Sequence, residues 1–353
     1  MKTDILIIGS GPVGATYARI ISEQKPQAKI LMVDAGPKVS DKIGQHVKNI
    51  TDPKEMENAQ VLSQGPKNEP YPMVSVAERA DAVRRGDLRS EILARAGTHL
   101  VTDTMDDLAI NEMPSISMST NLGGMGIHWT CACPRPGKGE SIPFIPENEM
   151  ENALTAAEKI LNVTQEAFPI TEEGQAIINI LNQALGGNHS PNRQAQPMPL
   201  ACTKDAEGNR YWVASDVILG DTLEKPNFEL RSDTICRKLN HENGKVIGAE
   251  IENRQTGVKE VVEAKIVIVA ADPLRTPQLL WASGIRPKAL GHYLNEHPFI
   301  FTFVELDLDL LAKNVGGSTF KTSDRKSHDE RRGSYRDQHR KHQIGGLLLT
   351  KLV

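Results

Sequence analysis

Two runs of consecutive apolar residues lie near the start of the chain, at residues 5–8, directly after Asp4, and 30–33, directly after Lys29. Each run is short and is bounded by polar residues or glycine, which is the pattern of a strand buried on both faces. Between them, apolar positions recur at helical intervals as far as Ile21. Because parallel strands need a crossover that is usually a helix, this order predicts a strand, a helix and a second, parallel strand.

A second group of apolar runs lies between residues 227 and 270. Its members are Phe228–Cys236, Val246–Ile251 and Lys265–Ala270, and Asn243-Gly244 is a hairpin turn signal between the first two. We interpret the group as a three-stranded antiparallel excursion whose last, very apolar strand returns to the parallel sheet. The chain is therefore predicted to be an α/β protein.

Helical spacing marks further segments, three of which lie in a region of helices and loops inserted at about residues 37–225. Residues 299–308 have strand character, whereas no regular period is visible after Gly317. The predicted helices are Ala77–Ala96, Glu147–Leu161, Ile170–Leu185 and Thr276–Ile285.

The turn after the first strand reads Gly9-Ser10-Gly11-Pro12-Val13-Gly14, and the second strand ends at Asp34. In the dinucleotide-binding fingerprint, the first glycine permits a tight turn, the second lets backbone approach a pyrophosphate, and the third lets the helix pack on the strand. Asp34 lies where a carboxylate can accept hydrogen bonds from an adenosine ribose. The pattern predicts a Rossmann-like dinucleotide site; the alternative is a glycine turn without a ligand.

A second glycine-rich segment, Ser119–Pro136, is too rich in glycine for a helix interior and too apolar for an ordinary solvent loop. Glycines remove side chains that would collide with a flat ligand, so the segment suits backbone lying against one. Within it, His128 and Thr130 are the polar groups that could face the ligand, and Trp129 could pack behind.

Charge and length limit the partners. The 353 residues carry a net charge of −4, which gives no reason to expect nucleic acid or an anionic membrane as partner. The last 37 residues, from Gly317, are compositionally foreign, with nine basic and four acidic residues. The first strand begins almost at Met1 and no apolar run has the length of a membrane span, so we expect a cytoplasmic protein.

The four cysteines suggest neither a disulfide framework nor a zinc site. Cys131 and Cys133 are one residue apart, and no second pair stands at metal-site spacing. We expect reduced, mostly buried thiols and no metal.

With these residues assembled, the chain resembles the glucose–methanol–choline (GMC) oxidoreductases, and within them the pyranose oxidases. The resemblance runs through most of residues 1–300. Its motifs are the Gly9–Gly14 turn with Asp34, Lys42–His46, Gly123–Pro134, and Thr276–Ile285 followed by Leu294–Pro298.

The resemblance implies FAD as cofactor, with His128 bonded to the flavin 8α-methyl group and Thr130 near flavin N5. The alternative for His128 is a packed, hydrogen-bonded histidine, since related enzymes hold flavin without a covalent bond. The cofactor-binding residues implied are Gly9, Gly11, Pro12, Val13, Gly14, Asp34, Gly124, His128, Trp129, Thr130, Cys131, Ala132, Ile235 and Cys236.

The implied reaction is oxidation of a sugar hydroxyl, with dioxygen or a quinone taking the electrons. Whether the protein forms a homo-oligomer is left open.

Two departures from the family stand out. Asp272 occupies a position where the family usually has glycine, close to the expected pyrophosphate. Beyond Gly317 nothing resembles the family's remaining part, which carries its catalytic histidine and asparagine, so we expect a chain that is inactive alone; His292 and His297 are not assigned as the base.

We therefore expect an FAD-binding domain over residues 1–298, the beginning of a β-sheet substrate domain over 299–316, and a basic tail over 317–353 that is disordered or out of frame. Two other hypotheses stay open. One is a short flavin- or nucleotide-binding protein without sugar oxidase activity. The other is a nicotinamide-dependent dehydrogenase, which the Phe228–Ala270 excursion disfavours.

Overall fold

The computed structural model divides the chain into two compact units, which are described separately. The first comprises Met1–Pro134, Asn148–Ala167 and Pro199–Tyr293, and the second Arg135–Glu147, Phe168–Met198 and Leu294–Val353. The residues that the structure describes are 1–65, 96–100, 117–137, 140–185, 194–295, 300–301 and 348–349.

The described elements are numbered in chain order. The helices are α1 (Pro12–Gln24), α2 (Pro53–Gln64), α3 (Glu147–Ile160), α4 (Glu172–Leu185), α5 (Ser215–Leu219) and α6 (Asp272–Ala282). The strands are β1 (Lys2–Ile8), β2 (Ile30–Val33), β3 (Gly97–Leu100), β4 (Ser117–Thr120), β5 (Val163–Thr164), β6 (Leu200–Lys204), β7 (Arg210–Trp212), β8 (Phe228–Arg231), β9 (Thr234–Glu242), β10 (Lys245–Asn253), β11 (Lys259–Val269), β12 (Ile300–Phe301) and β13 (Leu348–Leu349).

A six-stranded sheet of order β8-β2-β1-β11-β10-β9 forms the centre of the first unit. The first four strands of this order run parallel, with Ile7 of β1 paired to Met32 of β2 and to Ile268 of β11. β9, β10 and β11 form the antiparallel meander. The predicted parallel sheet with a three-stranded excursion is confirmed.

β11 belongs to both parts of the sheet, and its two halves have different partners. Residues 259–263 pair with β10, and residues 263–269 pair with β1, so Glu263 is opposite both Gly248 and Lys2. A Cβ on Gly248 would lie 2.0 Å from Val262 O, a distance that no side chain tolerates. The close approach of the two strands at this turning point therefore requires glycine.

The prediction of one strand over Phe228–Cys236 was wrong. The structure has two strands there, because the chain turns at Ser232-Asp233, where Asp233 adopts a left-handed φ of 48°. Asp233 N–H donates to Gly36 O (3.0 Å) and Thr234 N–H to Asp34 O (2.7 Å). The alternation of apolar and polar residues stops at Arg231, and Ser232-Asp233 is a polar pair typical of turns, which the prediction of a single strand overlooked.

Two apolar cores cover the faces of the sheet. On one face, side chains of β1 and β2 pack with Ala15 and Ala18 of α1 and with Ile218 and Leu219. On the other face, Leu6, Ile8, Leu31 and Val33 pack with residues of the meander, including Leu239, Ala249 and Ile251. The meander is thus folded onto one face of the parallel strands that it extends.

The predicted helices over residues 147–161 and 170–185 are confirmed as α3 and α4. Thr171 Oγ1 accepts a hydrogen bond from Gly174 N–H (3.1 Å), which caps the N-terminus of α4. The helix predicted at Thr276 begins four residues earlier, at Asp272. The helix predicted over Ala77–Ala96 lies outside the described residues except for Ala96. Among the described helices, none combines the length and apolar character that crossing a bilayer requires.

Of the predicted strand at residues 299–308, only Ile300–Phe301 is described, and it pairs antiparallel with Leu348–Leu349. The remainder of the predicted basic tail lies outside the described residues, as does His297.

Candidate dinucleotide and flavin site

The first glycine turn lies at the carboxyl end of β1, where α1 begins. Gly9 has a φ of +102°, and a Cβ there would lie 2.2 Å from Ala270 O; a Cβ on Gly14 would lie 2.0 Å from Gly9 O. Side chains are therefore excluded at both positions by backbone. Gly11 differs, because a Cβ there would meet only Gly123 O, at 3.9 Å. The space beside Gly11 is open.

Gly11 is also the residue that precedes α1, and no side chain caps this helix. Pro12 is the first helical residue and Val13 is exposed. Uncapped N–H groups and the positive end of the helix dipole favour an anion at such a terminus. The turn thus has the features of a pyrophosphate site.

Asp34 is buried at the end of β2, and its carboxylate is bound mainly by protein. Oδ2 accepts hydrogen bonds from Ser10 N–H (2.8 Å) and Ser10 Oγ–H (2.6 Å), and Oδ1 accepts from Gly36 N–H (2.8 Å). Burial raises the pKa of Asp34, and these hydrogen bonds oppose that rise. A carboxylate has about four acceptor positions, so one on Oδ1 is left for a ligand. The ribose contact stays a prediction.

Ser10, which the glycine pattern treats as a variable position, joins the two glycine segments. Its Oγ accepts from Gly123 N–H (2.8 Å) while donating to Asp34, and its carbonyl oxygen accepts from Ser215 Oγ (2.8 Å). A Cβ on Gly124 would lie 3.3 Å from Gly11 Cα. The structure therefore brings the two predicted segments together, with Gly124 against Gly11.

His128 lies between two hydroxyl groups. Its Nε2 is 3.1 Å from Thr98 Oγ1 on β3 and 3.3 Å from Ser119 Oγ on β4. Thr98 donates its hydroxyl proton to Ser63 O (2.7 Å), so its contact with His128 is a hydrogen bond when Nε2 carries the proton. Burial lowers the pKa of His128 to about 4, which keeps the ring neutral at pH 7.

With these two hydroxyl neighbours, His128 has the contacts expected of a packed, hydrogen-bonded histidine, which was the alternative to a covalent flavin anchor. Flavin attachment through His128 remains a prediction. Thr130, two residues on, is exposed.

The residues that follow His128 are fixed against β6 and the segment after β7. Trp129 Nε1–H donates to Val213 O (2.8 Å), and Cys131 O accepts from Ala201 N–H (2.8 Å). Ala132 forms an isolated antiparallel bridge with Leu200. Cys131 and Ala132 thus use backbone groups to hold the segment in place.

The four cysteines are free thiols, as predicted. Burial raises the pKa of Cys131 to about 12 and that of Cys133 to about 11, so both are protonated at neutral pH. In the described part of the chain, no group of His, Cys, Asp and Glu side chains is arranged to hold a metal ion.

Ile235 and Cys236 lie half-buried near the start of β9, opposite Glu252 and Ile251 of β10. The preceding residue, Thr234, is hydrogen-bonded to the backbone of Asp34. The structure therefore brings this pair of predicted cofactor residues to the end of β2 where Asp34 lies.

Asp272, the departure from the family, has a left-handed φ of 66°, which explains why glycine suits this position. Its Oδ1 accepts from Leu274 N–H and Arg275 N–H, both at 2.7 Å, and its Oδ2 is 3.0 Å from Arg275 Nη1. The carboxylate thus caps α6 and is paired with a guanidinium. This pairing reduces the repulsion of a pyrophosphate that the sequence suggested.

Arg275 extends this cluster towards His128. It donates to Ser119 O (2.8 Å) and to Thr120 Oγ1, and Ser119 Oγ lies beside His128. Sequence reasoning missed Arg275, Ser119 and Thr98, because tertiary contacts bring them together.

Asn121, near the start of the second glycine-rich segment, holds a buried acceptor without a partner among the described residues. Its Nδ2 donates to Ser63 O (3.2 Å) and Ser119 Oγ (2.7 Å), whereas Oδ1 has no hydrogen bond. A buried polar atom without a partner is costly, and a hydroxyl-bearing ligand can satisfy it. With the open space at Gly11 and the uncapped helix, this acceptor fits a dinucleotide such as FAD.

Comparison with known proteins agrees with this geometry. Residues 138–299 match the GMC oxidoreductase family model. The chain is 42% identical over 294 residues to C-glycoside 3-oxidase from Arthrobacter globiformis, covering 83% of this chain and 55% of that protein. It is 40% identical over 309 residues to C-glycoside 3-oxidase from Microbacterium trichothecenolyticum, covering 86% and 58%.

Pyranose 2-oxidase from Tricholoma matsutake is 29% identical over 319 residues, covering 86% of this chain and 54% of that protein. The chain thus spans about half the length of the curated relatives it matches. GMC oxidoreductases are FAD-binding flavoproteins. The chain belongs to the GMC oxidoreductase family, and the relatives that it resembles carry the names C-glycoside 3-oxidase and pyranose 2-oxidase.

Proposed function

We propose that this chain is the FAD-binding part of an oxidoreductase that oxidises a CH–OH group of a sugar or glycoside. The observation that carries the proposal is the joining of two glycine segments through Ser10, which leaves an open, uncapped helix N-terminus beside Gly11. Relatives that share up to 42% of the aligned residues carry the names of sugar oxidases. Because the chain spans about half of their length, sugar oxidation is proposed for the whole enzyme.

The residues of the site have separate tasks in this proposal. The N–H groups at the start of α1 bind the pyrophosphate, Asp34 Oδ1 accepts from the ribose, and Asn121 Oδ1 accepts from a hydroxyl of the cofactor. His128 and Thr130 face the flavin, with His128 as the covalent anchor. When bound, FAD supplies the hydride acceptor, whereas the protein supplies position and charge. We propose dioxygen or a quinone as the final electron acceptor.

The test is anaerobic reduction of the bound flavin by sugars. The whole enzyme that contains this chain is loaded with FAD, and a C-glycoside or a free pyranose is added while the visible flavin absorbance is followed. Loss of that absorbance with a sugar, and its return on admission of dioxygen or a quinone, supports the proposal. A flavin spectrum of the whole enzyme that no sugar bleaches favours the alternative of a flavin-binding protein without sugar oxidase activity, whereas this chain alone is expected to bind FAD without being reduced by sugars.

Covalent attachment is tested separately by acid precipitation. If His128 is the anchor, flavin colour stays in the protein pellet, and the His128→Ala variant releases it to the supernatant. Free flavin in the supernatant of the parent protein contradicts the covalent bond and leaves non-covalent binding intact.

A further inference from the structure

His46 is a fully buried histidine to which the proposed function gives no role. It ends the Lys42–His46 motif and immediately precedes a single 3-10 turn, Val47–Asn49. Its Nδ1 accepts from Lys48 N–H (3.1 Å), and its Nε2 is 3.0 Å from Trp129 O. Because Nδ1 is an acceptor, the proton of the neutral ring is on Nε2, and Nε2–H donates to Trp129 O.

The turn that carries His46 is itself fixed. Asn49 Nδ2–H donates to Trp212 O (2.7 Å), and Trp212 N–H donates to Asn49 Oδ1 (2.8 Å). The Trp129 indole is held by Val213, the next residue after Trp212. Trp129 is therefore held at two points, its indole N–H and its carbonyl oxygen.

We propose that His46 is the positioning residue for the His128–Thr130 segment. The carbonyl that it holds belongs to the peptide between Trp129 and Thr130, so the hydrogen bond fixes the direction in which the chain leaves His128. His46 acts from behind, through the backbone, without contact to the cofactor. The importance of this role for flavin rests on the proposed function.

Two substitutions separate positioning from helix capping, because His46 does both. His46→Asn keeps an acceptor near the place of Nδ1 for Lys48 N–H but cannot reach Trp129 O. His46→Gln places an amide N–H near the position of Nε2, so it keeps the donor to Trp129 O and loses the capping acceptor. If His46 positions the segment, the Gln variant behaves like the parent and the Asn variant does not; a capping role alone predicts the reverse.

The first readout does not depend on flavin. Amide hydrogen exchange of a peptide spanning residues 125–133, measured without FAD, is expected to be faster by about tenfold or more in His46→Asn and to be near the parent rate in His46→Gln. The control is His241→Asn at an exposed position, since His241 Nε2 also bonds a backbone oxygen, that of Ser283 (2.9 Å), on a different part of the chain. It should leave this peptide unchanged.

The second readout is the affinity for FAD and the shape of its visible absorbance band. His46→Asn should bind FAD about tenfold more weakly than the parent, with a less structured band, and His46→Gln should restore both. If the parent binds no FAD, the proposed function fails, whereas the exchange measurement still decides the role of His46. Parent-like exchange and affinity in His46→Asn would overturn the inference.

Folding of each variant is checked by urea unfolding. If His46→Asn does not fold, His46→Gln alone decides. Parent-like exchange in residues 125–133 together with lower overall stability supports positioning through Trp129, and faster exchange in this variant contradicts it.

Discussion

At the scale of single residues, the site is built from side chains that hold other protein groups in place. Asp34 illustrates this. The fingerprint assigns this acid to the ribose, but its carboxylate accepts three hydrogen bonds from Ser10 and Gly36. Ser10 in turn holds Gly123. The local spacing of the glycines and the acid identified the turn. It could not identify Gly123 as a partner of Ser10, because the two residues lie 113 positions apart.

The Ser10→Ala variant tests this network. It removes one donor to Asp34 and the acceptor for Gly123 N–H, and both groups are buried. We expect the free energy of unfolding to fall by about 1–3 kcal/mol, measured by urea denaturation. Ser40→Ala is the control, since the Ser40 hydroxyl is exposed and bonds only locally, to Lys42 O; it should change stability by less than about 0.5 kcal/mol.

Two histidines with lowered pKa values, His46 and His128, predict how stability depends on pH. Burial lowers the pKa of both His46 and His128 from 6.5 to about 4. Between these pH values the unfolded chain binds more protons than the native protein. The contribution of these histidines to the free energy of unfolding is therefore fully present above about pH 6.5 and is lost as the pH falls towards 4. Each histidine can account for up to about 3 kcal/mol of this loss.

The parent and His46→Gln are compared by urea unfolding between pH 7 and pH 4.5, a window set by these pKa values. The raised pKa of Asp34 acts in the opposite direction but is common to both proteins. The variant should lose less stability on acidification than the parent. An equal loss in both proteins would show that His46 does not contribute to the pH dependence.

At the scale of elements, the start of α6 shows how a residue that departs from its family can fit. Asp272 adopts the left-handed conformation, caps two N–H groups and pairs with Arg275. Sequence reasoning predicted the helix but not its first four residues, although an acid followed by a proline is a common start of a helix. The break between β8 and β9 was overlooked although the alternation of apolar and polar residues stops at Ser232-Asp233, because the apolar residues on either side were assigned to one strand.

Substitutions at Asp272 should follow the order set by capping and conformation. Asp272→Ala loses the cap and places a Cβ residue without local hydrogen bonding in the left-handed region, so we expect a loss of about 1–2 kcal/mol of unfolding free energy. Asp272→Asn keeps a capping oxygen and tolerates this conformation, so it should lose less than about 1 kcal/mol. Equal losses for the two variants, measured by thermal or urea unfolding, would argue against the capping role.

At the scale of the whole first unit, the sheet depends on one position at which β11 passes from the meander to the parallel strands. The hydrophobic pattern predicted both parts and the connection between them. It did not predict that the meander packs onto a face of the parallel strands or that β10 approaches β11 closely at Gly248, because both are tertiary features that the pattern of apolar positions does not contain.

Gly248→Ala is therefore expected to be severe. Its Cβ would lie 2.0 Å from Val262 O, and the strands must separate to admit it, at a cost of about 1–3 kcal/mol or more. Gly244→Ala is the matched control, since Gly244 also has a positive φ but has no atom within 4 Å of the added Cβ. Urea unfolding should show a clearly larger loss for Gly248→Ala; a smaller or equal loss would contradict the packing described.

The central claim, that this chain binds FAD at the start of α1, is tested most directly by FAD titration of the parent and of Gly11→Asp. Gly11 has an extended conformation with open space around a Cβ, and aspartate is a favoured residue before a helix, so the variant should fold with parent stability or better. Its carboxylate would lie where the pyrophosphate is expected, and like charges at close range cost several kcal/mol. We predict that the parent binds FAD and that Gly11→Asp binds it about a hundredfold or more weakly. Equal binding by both folded proteins, or no binding by the parent, would contradict the account.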